Sequence, residues 1–334
     1  MKFNKLLTGV LIFVLGAAFL FIIKPSFMNT NQENSQKIVR IGYTPLIYAQ
    51  PTYVAVEMEF FKKNSLRYKM VKYENSTQAL NALIANKLDF LAVVPVASVF
   101  AAESRSTQKT PLFKILYYNL DSPKNPISFL MVKSARNIDT LEDLKSIQNL
   151  KVGVFPGNLL SILSTKLLFE KHKDLDIKPT FIDVAPQLQA QTLISGGVDV
   201  MMTLEPFATI LESKKIAKVI YTAPQTSITN PLAGGAGVFS SKFIQDYPNL
   251  SKSFALSINE AIDYIRKNPQ AAKKSYLKYT PLDLKIALQV RQPDYHVGSE
   301  VSKVLLKEQY QQLKKNKVLA TDKAVDLMVY DDGQ

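Results

Sequence analysis

The feature that most constrains this chain is that it repeats itself. From Ile38 the order is an apolar run (IVRIGYTP), a helix-like stretch (PTYVAVEMEFFKKNSL), a second strand-like run (YKMVKYEN), a second helical stretch (STQALNALIANKLD) and a third strand (FLAVVPV). The same series returns as LKVGVFPG, LLSILSTKLLFEKHKDL, PTFIDVAP, QLQAQTLISGGVD and VMMTLEPF. Residues correspond as well as elements: IGYTP matches VGVFP, LIANKLD matches LISGGVD, Asp89 matches Asp199, and Pro95 and Pro206 follow in step. Strands that alternate with helices form parallel βαβ units, whose right-handed crossovers cover both sheet faces. Two βαβαβ units therefore predict an α/β protein of two lobes, each a mostly parallel sheet flanked by helices, with one cleft between them.

Between the units lies PLFKILYYNLDSPKNPISFLMVKSA, two apolar runs of which the second is a candidate crossing to the second lobe. VIYTAPQTSITNPLAGGAGVFSS supplies the return. Of only 12 glycines, three (Gly234, Gly235 and Gly237) cluster there, so Gly234 and Gly235 are hinge candidates, although an ordinary turn explains them equally well. From Lys242 onward the chain reads as amphipathic helices packed on the first lobe with lysines outward. The expected boundaries are a signal or membrane anchor at 1–28, a polar linker at 29–37, a first lobe of 38–128 plus 235–334, and a second lobe of 129–234.

The N-terminus states where the body should lie. Lys2 and Lys5 precede an uncharged stretch from Leu6 to Ile23, closed by Lys24 and Pro25. It exceeds a signal-peptide core, so an uncleaved anchor with a cytoplasmic N-terminus is expected over a removed signal. The body would then be extracytoplasmic or periplasmic, tethered to the cytoplasmic membrane, or secreted after cleavage.

Composition removes much chemistry. With no cysteine there is no disulfide, thiol nucleophile or thiolate-bound metal, and two histidines give little support to imidazole-based hydrolysis. The G-x-S-x-G, P-loop and H-E-x-x-H motifs are missing as well, so no enzyme, cofactor or metal is expected. The formal net charge of +13 favours anionic partners, but no nucleic-acid motif accompanies the lysines, so nucleic acid is not expected.

In open α/β sheets ligands bind beyond the carboxyl ends of the strands, which selects Thr44, Tyr48, Ser76, Ser98, Asn158, Gln187 and Glu205 as binding candidates. Tyr48 offers an apolar face and a hydroxyl. Ser76 and Asn158 lie at helix starts, where free amides favour anions, though plain capping is the more common reason for such residues there. Ser98 and Gln187 follow strand ends. Glu205 would favour an amine or a hydrogen-bonding heterocycle if it faces the cleft, or else caps nearby backbone.

The stretches IGYTPLIYAQPTYVAVEMEFFKKNSL, ALNALIANKLDFLAVVPVASV, KVGVFPGNLLSILSTKLL, LISGGVDVMMTLEPFATIL and FIQDYPNLSKSFALSINEAIDYIRKNPQAAKK resemble the extracytoplasmic substrate-binding proteins of ABC-type importers for nitrate, sulfonates, taurine and thiamine-precursor pyrimidines. The resemblance implies a two-lobed, periplasmic-binding-protein-like (type II) fold, a small solute between the lobes, delivery to a membrane permease, and a monomer. It also implies departures, because such proteins commonly carry glycine where this chain has Met58-Glu59-Phe60 and Asn86-Lys87-Leu88. The competing readings are a membrane-tethered sensor or accessory protein of the same fold and, less favoured, a pyrimidine-synthase-like enzyme, whose cysteine-rich motif and iron-binding histidines are missing here.

Overall fold

Three parallel strands form the heart of each half. In a computed structural model that describes residues 37–156 and 158–331, the folded unit starts at Ile38. The expected signal or membrane anchor at 1–28 and most of the linker at 29–37 lie outside the described residues. Among the described residues no helix is long and apolar enough to cross a membrane.

The strands are β1 (Ile38–Tyr43), β2 (Arg67–Lys72), β3 (Phe90–Pro95), β4 (Phe113–Asp121), β5 (Ser128–Lys133), β6 (Lys151–Val154), β7 (Thr180–Asp183), β8 (Val200–Leu204), β9 (Ala217–Thr222), β10 (Leu232–Ser240) and β11 (Asp294–Val297). One sheet has the order β11-β4-β10-β3-β1-β2 and the other β7-β6-β8-β5-β9. The repeat is visible in both, since β1 pairs in parallel with β2 and β3 as β6 does with β7 and β8. The crossing strands then add antiparallel edges: β10 lies against β3 and β5 against β8, so both sheets are mixed. β3 and β8 are buried along almost their whole length, which is why FLAVVP and VMMTL are continuous apolar runs without alternation.

The helices of the first unit are α1 (Gln50–Glu57), α2 (Phe60–Lys63), α3 (Ser76–Ile84) and α4 (Val96–Arg105). Those of the second are α5 (Leu159–Lys171), α6 (Gln189–Ser195) and α7 (Phe207–Ser213). The expected single helix after β1 is broken in two. Glu59 has φ 56°, a left-handed conformation that ends one helix and starts the next. Asn86, after α3, has φ 55°. These are the two places where the resemblance implies glycine, and the backbone explains why glycine suits them.

The C-terminal part contains α8 (Ser241–Asp246), α9 (Pro248–Lys267), α10 (Pro269–Ala272), α11 (Tyr276–Tyr279), α12 (Leu284–Gln289) and α13 (Lys303–Lys315). α9 buries Phe254, Ile258, Ala261, Ile262 and Ile265 in the same core as Tyr53 and Val54 of α1. The segment from Lys242 is not all helix, however. β11 pairs with β4, Tyr295 opposite Asn119, and completes the six-stranded sheet. Four residues of mixed polarity are too short for a periodicity to show, so tertiary pairing decided this strand.

Gly234 and Gly235 fall inside β10, where its pairing with β4 is irregular between Ala233 and Ala236. Neither has positive φ. Their smallness matters instead, because a Cβ on either would come within 3.0 Å of the Asn119 side-chain amide.

Candidate functional site

β1 ends at Tyr43, and Thr44, which is 2% exposed, begins the loop that enters α1. Tyr53 locks this loop by donating its hydroxyl to Thr44 O at 2.9 Å and Leu46 O at 3.1 Å. Tyr48, buried on the same loop, reaches the other half: its hydroxyl donates to Glu205 O at 2.8 Å. Burial pushes the Tyr48 phenol well above its ordinary range, so it acts only as a neutral donor. Tyr48 Cβ lies 3.6 Å from where a Gly235 side chain would begin, and Gly235 N donates to Asn119 Oδ1 at 3.0 Å. Tyr48, Asn119, Gly235 and Glu205 are thus one contiguous group where the strand ends of the two sheets meet.

Glu205 follows β8 and is 1% exposed. Its carboxylate accepts from Thr209 Oγ1 at 2.8 and 3.0 Å and from Arg291 NH1 at 2.6 Å. Burial pushes this carboxyl up, and the Arg291 guanidinium and Thr209 pull against that rise. The carboxylate is therefore paired within the chain rather than offered to an amine. Arg291 also meets Glu212 Oε2 at 2.9 Å and stacks its guanidinium 4.4 Å from the Phe129 ring centre.

Several buried polar atoms here have no partner. Asn119 is wholly buried in β4, and because its Oδ1 accepts from Gly235, the amide left over is the Nδ2 donor. Gln50, also 0% exposed, accepts from Gln292 Nε2 at 2.6 Å and leaves its own Nε2 without an acceptor. The Tyr276 hydroxyl and Thr44 Oγ1 are likewise unpartnered. Buried donors are rarely left unsatisfied, so each of these groups has capacity for a further hydrogen bond. On the other half, half-buried Phe155 and Phe207 follow β6 and β8 with ring centres 5.9 Å apart, an apolar wall at the same strand ends.

The remaining sequence candidates lie elsewhere on these edges. Asn75 is the cap of α3, accepting from Gln78 N at 3.0 Å, and Ser76 is the first helical residue. Ser76 and Ser98 line a groove of about 580 Å³ between α3 and α4, with Leu80, Asn81 and Arg105. Asn158 caps α5 through Ser161 N at 3.2 Å. Gln187 is exposed in the turn before α6, while its neighbour Gln189 is buried and accepts from Thr203 Oγ1 at 2.8 Å. The structure thus brings Tyr48 and Glu205 together, with Thr44 on the Tyr48 loop. Asn119, Gln50, Arg291 and the Phe155–Phe207 pair were missed. Asn119 had a signal, a polar residue inside the apolar run FKILYYNLD; Arg291 had none. Among the described residues no group of three His, Cys, Asp or Glu could hold a metal.

Two mixed sheets flanked by helices, joined by two crossings and meeting at their strand ends, define a periplasmic-binding-protein-like fold. The chain superimposes on the periplasmic aliphatic sulphonate binding protein from Escherichia coli with a TM-score of 0.68, at 16% identity over 88% of this chain and 92% of that one. It superimposes on the periplasmic nitrate-binding protein from Synechocystis PCC 6803 with a TM-score of 0.63, at 12% identity over 87% and 84%. By sequence it is 22% identical to a putative aliphatic sulfonates-binding protein of Bacillus subtilis (strain 168), covering 87% of this chain and 84% of that one. Residues 32–278 match the NMT1-like family model, and the chain belongs to the NMT1-like family. The Bacillus subtilis relative and the two superimposed structures are named as binding proteins, and the one from Escherichia coli is periplasmic.

Proposed function

We propose that this chain is the solute-binding component of an ABC-type importer, which takes a small organic oxyanion of the sulfonate kind between its halves and delivers it to a membrane permease. The single observation that carries this reading is the buried, unpartnered Nδ2 of Asn119 beside Tyr48 and Gly235, a donor with nothing to donate to. Gln50 Nε2 and the Tyr276 hydroxyl add to the set. Neutral donors in a desolvated place hold an oxyanion by hydrogen bonds to charge, the stronger kind. The Phe155–Phe207 wall suits an alkyl or aryl remainder.

In this reading 38–128 plus 235–334 and 129–234 move as lobes, with Gly234 and Gly235 among the hinge residues, and the protein works as a monomer without cofactor, catalytic step or nucleic acid. Residues 1–28 tether the body outside the cytoplasm through the linker 29–37, or serve as a removed signal.

The test is thermal stability of residues 36–334 against a panel of alkanesulfonates, nitrate, amino acids, polyamines and pyrimidines. A solute that binds only the folded form raises stability by about 2.7 kcal/mol at a hundredfold excess over its Kd. The expected result is a saturable shift with sulfonates that Asn119→Asp abolishes, since a carboxylate there accepts where the solute needs a donor. A shift with amines or pyrimidines alone would overturn the oxyanion assignment.

A further inference from the structure

Arg291 belongs to neither repeat, yet it ties the halves together. It leaves the loop between α12 and β11, on the side of the six-stranded sheet. Its three partners, Phe129, Glu205 and Glu212, all lie on β5, β8 and α7 or directly beside them, on the side of the five-stranded sheet. The Glu205 side chain is 0% exposed, whereas Arg291 and Glu212 are each 35% exposed, so the bridge runs from a dry interior to a wet rim. Moving Arg291 away leaves Glu205 with the Thr209 hydroxyl as its side-chain partner among the described residues and with an uncompensated buried charge, the costly way to break such a pair. Separation of the halves also breaks the Tyr48–Glu205 bond.

The geometry points to Arg291 as a positioning residue that latches the two halves together through Glu205 and Glu212, and so sets how tightly a solute is held. This rests on the solute-binding reading. A binder whose competent state is only partly populated has its apparent Kd divided by that fraction, so a latch that favours the closed arrangement tightens binding without touching the solute.

The chain has no cysteine, which makes a distance measurement direct. Lys72→Cys and Lys178→Cys, both at exposed positions and one on each half, carry spin labels for pulsed EPR without added solute. Arg291→Ala is expected to shift the distribution several ångströms to longer separations, Glu212→Gln to shift it less, and Arg291→Lys to restore most of the short population. An unchanged distribution in a cooperatively folded Arg291→Ala protein would overturn the latch. If Arg291→Ala does not fold, Glu212→Gln decides, because its partner carboxylate sits on the rim, and an unmoved distribution there overturns the latch equally. Since no solute is present, a negative sulfonate panel sinks the solute assignment alone, and an unmoved distance sinks the latch alone.

Discussion

Asp89 and Asp199 occupy the same place in the two halves and make the same bonds. Asp89 Oδ2 accepts from Arg40 N at 2.8 Å while its own N donates to Arg40 O at 2.9 Å; Asp199 Oδ2 accepts from Lys151 N at 2.9 Å while its N donates to Lys151 O at 2.9 Å. Each also holds an arginine, Arg40 at 2.7 Å and Arg136 at 2.8 Å. The residue before β3 or β8 is thereby pinned to the start of the central strand, β1 or β6. Asp89→Ala should lower stability by about 2–3 kcal/mol and Asp199→Ala by about 1–2 kcal/mol, the difference following the more exposed Asp199 side chain. Urea unfolding of both variants checks the order, and equal small losses would mean the pins are incidental.

Asp121 gives a pH signature. It is wholly buried at the end of β4, accepts from Ile127 N at 2.9 Å and from the Ser128 hydroxyl, and has its carboxyl pushed up to about 6 by burial. A carboxyl raised in the folded state holds its proton more tightly there than in the unfolded chain, where the value is about 3.9, so its contribution falls as pH rises from 4 to 6 and is level above. Two units correspond to about 3 kcal/mol. Wild type should therefore lose about that much relative to Asp121→Asn between pH 4 and pH 7. Parallel stability curves for the two proteins would refute this.

Glu59 is strained where a glycine would not be. A left-handed non-glycine residue costs about 1–2 kcal/mol, and glycine returns part of that as unfolded-state entropy. Glu59→Gly should be neutral to stabilising by about 1 kcal/mol in a melting experiment, and Asn86→Gly should do less because asparagine tolerates this conformation. A clear loss on Glu59→Gly would show that its ion pair with Lys62, 3.3 Å away, matters more than the backbone.

Gly237 has the opposite constraint. A Cβ there would lie 2.2 Å from the Tyr117 ring, which is wholly buried and hydrogen-bonded to Ala92 O. Gly237→Ala should destabilise by about 1–3 kcal/mol through overpacking. Pairing it with Tyr117→Leu should recover part of the loss, and a wild-type melting point for the single variant would contradict the clash.

Phe155 tests the apolar wall. If it covers the carbon chain of the solute, Phe155→Ala should weaken octanesulfonate binding about tenfold and leave methanesulfonate within a factor of two, since each buried methylene is worth about 0.8 kcal/mol. Calorimetric titration of the two solutes separates the effects, and equal losses would place the ring elsewhere.

The repeated order of elements, the two halves and the crossing strands were legible in the chain because strand and helix periods, helix caps and the IGYTP/VGVFP correspondence are local signals. The residues after β1 and β8 were legible for a related reason: strand ends in such sheets meet in one place, so Tyr48 and Glu205 could be selected before being seen in contact. What the sequence did not disclose is what these groups touch. Glu205 reads either as a cleft-facing acid or as a backbone cap until Arg291, 86 positions later, is folded against it. Asn119 reads as one polar residue in a strand until Gly235 takes its oxygen and leaves its nitrogen without a partner. β11 has too few residues to show a period and exists because β4 offers it an edge. Local patterning determined the elements and their order; burial and long-range pairing, which depend on residues far apart in the chain, decided the charge and hydrogen-bonding character of the cleft.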